Sequence, residues 1–285
     1  MEMALHELPL ALFTAIAPIG AGAFIALFIA FLKGSFTDDK LKAVDKCSII
    51  PIVVALVGMV CSVPHLTNPN NAVNVLNTIG SSPLANEMTA FGVFLVLACL
   101  YWILGVAGVL KNRGFRLLCS GIVAIAAIVF AVFVGMAYAL PTQPVWNTLW
   151  TPAQILGIEL FGGMVTGMIV LISANADSCV EDGADNVIAG VSIVGFVLAC
   201  LATCVIWYMG SVAVSPVVDV AANAGSLIVF LVLFIIFGII GAACAFFTAK
   251  IGSLKLLGWA SVIVIILACF FARLVFYGMQ IGIGF

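Results

Sequence analysis

Four ionisable residues in this 285-residue sequence lie within or beside long apolar runs: His65, Glu87, Glu159 and Arg273. A charged group inside hydrocarbon or at its edge is costly and is usually retained for function or anchoring. Histidine titrates near neutrality, so it can accept a hydrogen bond and then a proton, which a carboxylate can pass to water. A histidine, a carboxylate and an arginine at one depth therefore suit the oxidation of a quinol, which releases two electrons and two protons.

A second interpretation of these residues needs no chemistry. His65 is then a loop residue, and Glu87 is a carboxylate favoured by the dipole at a helix N-terminus. Arg273 is then an anchor whose guanidinium reaches the membrane surface. Residue type and spacing leave both interpretations open.

The composition indicates what kind of structure positions these residues. The chain is 65% hydrophobic and 8% charged, with a net charge of −2. So few charged residues could not cover a soluble fold of this length, so we expect an integral membrane protein without a soluble domain. Its surroundings are then membrane lipid, and we expect no nucleic-acid partner.

The apolar runs predict the fold class. A run of about 20 apolar residues is long enough to cross the membrane as a helix. These runs lack the alternation of a membrane barrel, which predicts an all-α, polytopic fold in one membrane domain over residues 1–285. Eight spans are predicted, at residues 8–32, 47–63, 87–110, 117–140, 153–174, 187–212, 226–249 and 256–277.

The basic residues predict the orientation of the spans, because short basic loops stay in the cytoplasm. Every Lys and Arg except Arg273 follows the first, third or seventh span: Lys33, Lys40, Lys42, Lys46, Lys111, Arg113, Arg116, Lys250 and Lys255. Both termini should therefore lie outside. The loop after the fifth span also falls on the cytoplasmic side, although it carries only acids, which weigh little in this rule: Asp177, Glu181, Asp182 and Asp185.

This topology places three of the four ionisable residues at a similar depth near the outer surface. His65 follows the second span, Glu87 begins the third, and Arg273 lies near the outer end of the eighth. Glu159 lies about two turns inside the fifth span, counted from the same side.

Two further features concern anchoring and packing. Trp146 and Trp150, in the outer segment 141–152, are typical of indoles that sit among lipid headgroups, with ligand contact as the alternative. Gly163 and Gly167 form a Gly-x-x-x-Gly pair, which allows another helix to approach closely.

The polar run from His65 to Glu87 resembles that of a known family. The matching residues are His65-Leu66, Pro69, Ala72, Asn74, Leu76-Asn77, Gly80, Ser82, Leu84 and Asn86-Glu87. Further matches are His6-Glu7, Pro9-Leu10, Trp150-Thr151-Pro152, and Arg273 with Phe276-Tyr277-Gly278. In these residues the sequence is similar to the membrane anchor subunit of dimethyl sulfoxide reductase, the DmsC family.

The resemblance implies an eight-helix subunit of the bacterial cytoplasmic (inner) membrane that acts in anaerobic respiration. Such a subunit holds no haem or metal and is not itself the molybdenum catalyst. It binds menaquinol and passes electrons to a four-cluster iron-sulfur subunit, which relays them to a molybdopterin subunit. The family's quinol site falls on His65 and Glu87, with Arg273 as a further quinol-binding candidate. The sequence differs from the family pattern at Asn71 and Thr78, where that pattern has arginines.

A different class of function remains open at this point. Glu159 and Arg273 could serve as the intramembrane charges of a small-solute or ion transporter. Transporter spans are often broken by Gly or Pro at corresponding places in two halves. Pro18 and Pro51 do not form such a pair, and the resemblance to the DmsC family favours the redox subunit.

The predicted topology can be tested with reporter fusions. Reporters placed after Leu32 and after Leu110 should read cytoplasmic, because basic loops follow both positions. Reporters within residues 68–82 or after Phe285 should read external. The reverse pattern would contradict the orientation.

Overall fold

The computed structural model describes residues 2–65, 77–181, 183–214, 219–251 and 255–281. Across these ranges the protein is helical and contains no strand. The helices are α1 Glu2–His6, α2 Leu8–Lys33, α3 Asp38–Cys47, α4 Ile49–Ser62, α5 Pro83–Val106, α6 Arg113–Tyr138, α7 Trp150–Ser173, α8 Ala184–Val212, α9 Val220–Ile251 and α10 Lys255–Gly278. Eight stretches are long and apolar enough to span a membrane, which confirms the predicted fold class.

Each predicted span overlaps one helix, but several helices begin earlier than the apolar run. The first turn of α5 holds Pro83 and Asn86, and that of α6 holds Arg113 and Arg116. Polar side chains and proline are well suited to a first turn, because the N–H groups there have no partner within the helix. Hydrophobicity alone therefore places these starts too late.

The charged segment between the first two spans was predicted as a loop, and it forms helix α3. Its charged side chains are exposed on one face, whereas Val44 and Asp45 are buried. The backbone then continues through Ser48 into α4, so α3 and α4 together make the second membrane-spanning stretch. An amphipathic pattern thus extends the span beyond its apolar part.

Helices α2 and α7 form the centre of the bundle. In the most apolar part of each, 83% of the residues are buried, compared with 22% in α9. Small residues bring the two together, since a Cβ on Gly163 would lie 2.5 Å from the Cα of Gly22. A Cβ on Gly167 would overlap that of Ala26. The Gly-x-x-x-Gly pair therefore mediates close helix packing, as predicted.

The basic loops gather at one end of the bundle, which we call the basic end. The acidic loop after α7 lies there too, because Lys40 Nζ donates to the carbonyl oxygen of Asn175 and the Ser35 N–H donates to that of Cys179 (3.0 Å). The acidic loop thus accepts hydrogen bonds from the first basic loop. We call the opposite end, where α2, α5, α7 and α9 begin, the site end.

A buried ion pair holds the basic end together. Arg116 Nη1 and Nη2 donate to Asp45 Oδ1 (2.5 Å) and Oδ2 (2.9 Å). Arg116 Nε donates to the Leu110 carbonyl (3.0 Å), and its guanidinium lies 5.1 Å from the centre of the Phe31 ring. The side chains of Arg116 and Asp45 are 6% and 2% exposed, so this pair is largely removed from water.

The structure predicts that Asp45→Asn will lower the free energy of unfolding by about 3 to 5 kcal/mol, because it leaves Arg116 buried without its carboxylate. Thermal unfolding in detergent would measure the loss. Asp39→Asn is the matched control: Asp39 is 94% exposed and lies 3.7 Å from Lys42 Nζ, so its removal should change little. Equal losses of unfolding free energy in both variants would show that the buried pair stabilises the fold no more than the exposed one.

Candidate functional site

Arg273 in α10 is the centre of a buried polar cluster at the site end, and it is 0% exposed. Its Nε donates to Thr14 Oγ1 (2.8 Å) and its Nη1 donates to Gln154 Oε1 (2.6 Å). Thr14 lies in the second turn of α2 and Gln154 in the second turn of α7. The arginine therefore connects the two central helices to α10 at this end of the bundle.

Gln154 extends this network to a fourth helix. Its Nε2 donates to Thr203 Oγ1 (2.8 Å) in α8 and to the Ala272 carbonyl (3.4 Å) in α10. The Thr203 hydroxyl donates in turn to the Ala199 carbonyl (2.7 Å). Both Gln154 and Thr203 are fully buried. The Gln154 amide is hydrogen-bonded through its oxygen and through its nitrogen, and these bonds fix its orientation.

Aromatic rings surround the Arg273 guanidinium. Its central carbon lies 3.9 Å from the ring centre of Phe276, 4.9 Å from that of Tyr277 and 5.5 Å from that of Tyr138. The hydroxyl oxygen of Tyr277 is 3.5 Å from Thr14 Oγ1. Cation–π contacts of this kind are strong where water is excluded, so they hold the charge in place.

Trp146 stacks on Phe276, with ring centres 4.6 Å apart, and its Nε1 donates to the Phe276 carbonyl (3.0 Å). It is 5% exposed, so its predicted role as an interfacial anchor is wrong. The indole supports the wall of the cluster instead. Trp150 is 37% exposed and keeps a surface suited to the membrane interface.

Glu87 lies in the second turn of α5 and is 2% exposed. The ion pairs among the described residues are Arg116–Asp45 and Lys42–Asp39, so Glu87 and Arg273 do not touch. Glu87 Oε1 and Arg273 Nη2 are both buried and have no hydrogen-bond partner within the described part of the protein.

The start of α5 is built by the polar residues that precede Glu87. The Ser82 hydroxyl accepts from the Ala85 N–H (3.4 Å), and Pro83 stands in the first turn. Asn86 Oδ1 accepts from the Gly80 N–H (2.7 Å), and Gly80 has a φ of +86°, which favours glycine. These contacts fix the position of Glu87 one turn inside the helix.

His65 is the last residue of a short 3-10 helix, Val63–His65, that follows α4. Its side chain and residues 66–76, including Asn71, lie outside the described residues. The backbone of His65 is at the site end, because α4 runs antiparallel to α2: Gly20 packs against Ala55, and Gly58 packs further along against Ala17. The structure therefore buries Glu87 and Arg273 at the same end of the bundle and places the His65 backbone there too.

Glu159 is fully buried, but it does not belong to this cluster. It packs on α2, where a Cβ on Gly22 would lie 2.8 Å from its Cγ. Neither carboxylate oxygen has a hydrogen-bond partner within the described ranges. Arg273 is bonded to Thr14 and Gln154 and not to Glu159. The two charged residues that the transporter hypothesis combines, Glu159 and Arg273, are therefore not in contact.

Sequence reasoning missed four polar members of the cluster: Thr14, Tyr138, Gln154 and Tyr277. The search followed charged residues, whereas these side chains are uncharged and occur in apolar runs. Their depth was a usable signal, since each lies within about two turns of a helix end at the outer side. Within the described ranges, no three His, Cys, Asp or Glu side chains are grouped as metal ligands, and the absence of haem stays a prediction.

Gln154→Met should lower the free energy of unfolding by about 1 to 3 kcal/mol, because Arg273 Nη1 and Thr203 lose a buried partner. Unfolding in detergent measures this. Thr166→Val, in the same helix, is the control: this buried hydroxyl donates only within α7, to the Gly162 carbonyl (2.9 Å), so its loss should be nearly neutral. A Gln154 variant as stable as the control would contradict the proposed network.

Comparison with known proteins agrees with the geometry. The family model described as DMSO reductase anchor subunit (DmsC) matches residues 1–279. An anaerobic dimethyl sulfoxide reductase subunit of Escherichia coli (strain K12) is 30% identical over 173 residues, and its counterpart in Haemophilus influenzae is 28% identical over 175. A second subunit of this kind from the same Escherichia coli strain, named YnfH, is 28% identical over 169 residues.

The alignments cover 60%, 61% and 59% of the length of these relatives and about the same share of this chain. The family match is longer and includes His65, Glu87 and Arg273. With its eight apolar helices, the chain is a multi-pass membrane protein that belongs to the DMSO reductase anchor subunit (DmsC) family.

Proposed function

We propose that this subunit oxidises menaquinol at a site formed by His65, Glu87 and Arg273 and passes the electrons to an iron-sulfur subunit. One observation carries the proposal: an unsatisfied acceptor, Glu87 Oε1, and an unsatisfied donor, Arg273 Nη2, are both buried at the site end. Buried polar atoms are nearly always hydrogen-bonded, so atoms without partners call for a ligand. A quinol hydroxyl can donate to a carboxylate and can accept from a guanidinium.

The surroundings of the pair also support a quinol. The aromatic rings of Tyr138, Phe276 and Tyr277 pack around the guanidinium and surround it with the apolar material that a quinol ring favours. Arg273 is held by two uncharged partners, Thr14 and Gln154. Its positive charge is therefore not neutralised by either of them and can act on the quinol oxygen. Menaquinol carries an isoprenoid tail, which the apolar faces of the membrane-spanning helices can hold.

The residues divide the work of proton removal. Oxidation converts the quinol to the quinone and releases two protons and two electrons. His65 accepts the first hydroxyl proton, and Glu87, one turn from the start of α5, leads it to water at the site end. Arg273 holds the oxygen and stabilises the charge that develops as the proton leaves.

The electrons must leave through a partner, because the described residues hold no group of metal ligands that could bind a redox centre. An iron-sulfur cluster docked at the site end would receive them and relay them to a molybdopterin subunit. The relatives support this arrangement, since each is named as part of an anaerobic dimethyl sulfoxide reductase. In the bacterial cytoplasmic (inner) membrane the basic end faces inward. The partner subunits are then exported and dock outside.

His65→Ala and Glu87→Gln should each slow quinol-dependent turnover of the assembled complex. Loss of a partner of a buried ligand group costs about 1 to 3 kcal/mol, which corresponds to roughly 5- to 150-fold. Turnover with a soluble artificial electron donor should be unchanged, because that donor bypasses the membrane site. The ratio of the two rates is the measurement.

Glu159→Gln is the matched control, since it removes an equally buried carboxylate that does not contact the cluster. Its ratio of rates should stay near that of the unmodified complex. Arg273→Gln should slow quinol-dependent turnover as the site variants do. Because Arg273 also connects three helices, the amount of assembled complex must be measured for this variant. Full quinol-dependent turnover in both the His65 and Glu87 variants would refute the site and leave these residues as anchors.

A further inference from the structure

A cavity of about 440 Å³ opens at the basic end, far from the Arg273 cluster. Its apolar wall is formed by Phe31 of α2 and Leu117 of α6. Ser35 and Thr37 of the loop after α2 and the cations Lys111 and Arg113 form its polar side. The cavity therefore joins an apolar surface near the ends of two membrane helices to a cationic rim, and its volume is typical of small-ligand sites.

The charges around the cavity are not balanced from within the protein. Arg116 also lines it, but Asp45 neutralises this arginine. Lys111 and Arg113 are exposed and form no ion pair with any described carboxylate. Arg113 Nη2 donates to the Leu32 carbonyl (3.1 Å), which holds its guanidinium at the rim. One carboxylate, Asp38, faces these two cations, so the rim keeps a net positive charge.

The Thr37 hydroxyl is a further polar group that lines the cavity. Thr37 precedes α3 as its N-terminal cap residue, yet its side chain makes no capping hydrogen bond. The first N–H groups of a helix lack partners inside the helix. Hydroxyl and cationic donors thus meet at the place where the apolar wall ends.

We infer that this cavity binds the headgroup of an anionic phospholipid, with the phosphate between Lys111 and Arg113 and the first acyl carbons against Phe31 and Leu117. Basic pockets between membrane helices on the cytoplasmic side are suited to such headgroups. The apolar wall favours a lipid over free phosphate, because inorganic phosphate has nothing to place against it. This site is independent of the quinol site, from which it is separated by the length of the bundle.

Native mass spectrometry of the full-length protein with phosphatidylglycerol or phosphatidylcholine tests the inference. The unmodified protein should retain phosphatidylglycerol preferentially, and high salt should reduce the preference. The double substitution Lys111→Gln and Arg113→Gln should weaken retention by about 25-fold, at about fivefold for each cation. Lys46→Gln, an exposed lysine at the same end that does not line the cavity, should leave retention unchanged.

Three results would overturn the inference. The first is equal retention of both lipids by the unmodified protein, which does not depend on any variant folding. The second is an equal loss from Lys46→Gln, which would indicate only general attraction to a basic surface. The third is that inorganic phosphate alone displaces the lipid at millimolar concentration and gives the same thermal stabilisation, which would identify a phosphate site instead. Quinol-dependent turnover of the double variant should be unchanged, so failure here is separable from failure of the proposed function.

Discussion

The structure depends on a rule of the bilayer: inside hydrocarbon, every polar group must find its partner within the protein. For the backbone this rule is met by helices. For side chains it is met by burying the few polar groups between helices, and Arg273 is the largest example, with Thr14 and Gln154 on either side. The central helices α2 and α7 are therefore joined at the site end by hydrogen bonds and further inward by the contact of Gly22 with Gly163.

The two buried arginines of this protein show how a structural ion differs from a functional one. Arg116 donates to a carboxylate with both terminal nitrogens and to a carbonyl with its Nε, so each of its three nitrogens has a partner. Arg273 has only uncharged direct partners and keeps one terminal nitrogen without a partner among the described residues. Arg116 thus stabilises the basic end through its paired nitrogens. Arg273, with one unpaired nitrogen, can still donate to a hydroxyl at the site end.

The sequence predicted the eight helices because hydrophobic length alone decides whether a helix can span the membrane. It could not predict which helices form the centre, because lipid-facing and core-facing residues are equally apolar. Helices α2 and α9 are both strongly apolar, yet the first is mostly buried and the second mostly exposed. For the same reason Trp146 was assigned to the membrane surface, and Gln154 was not recognised. Their roles depend on how α7 and α10 are rotated toward each other. The length and hydrophobicity of an apolar run do not determine that rotation.

The site stays a prediction, but the structure gives a physical role to the run that ends at Glu87. The resemblance to the family rests on polar residues there, and in the structure several of them fix the start of α5. Gly80 takes a backbone conformation that other residues rarely adopt, Asn86 bonds to its N–H, and Ser82 caps the helix. Together they set where α5 begins. Because a helix rises about 1.5 Å per residue, a shift of this start by one residue would also rotate Glu87 by about 100°. Residues outside the proposed site therefore decide in which direction the Glu87 carboxylate points.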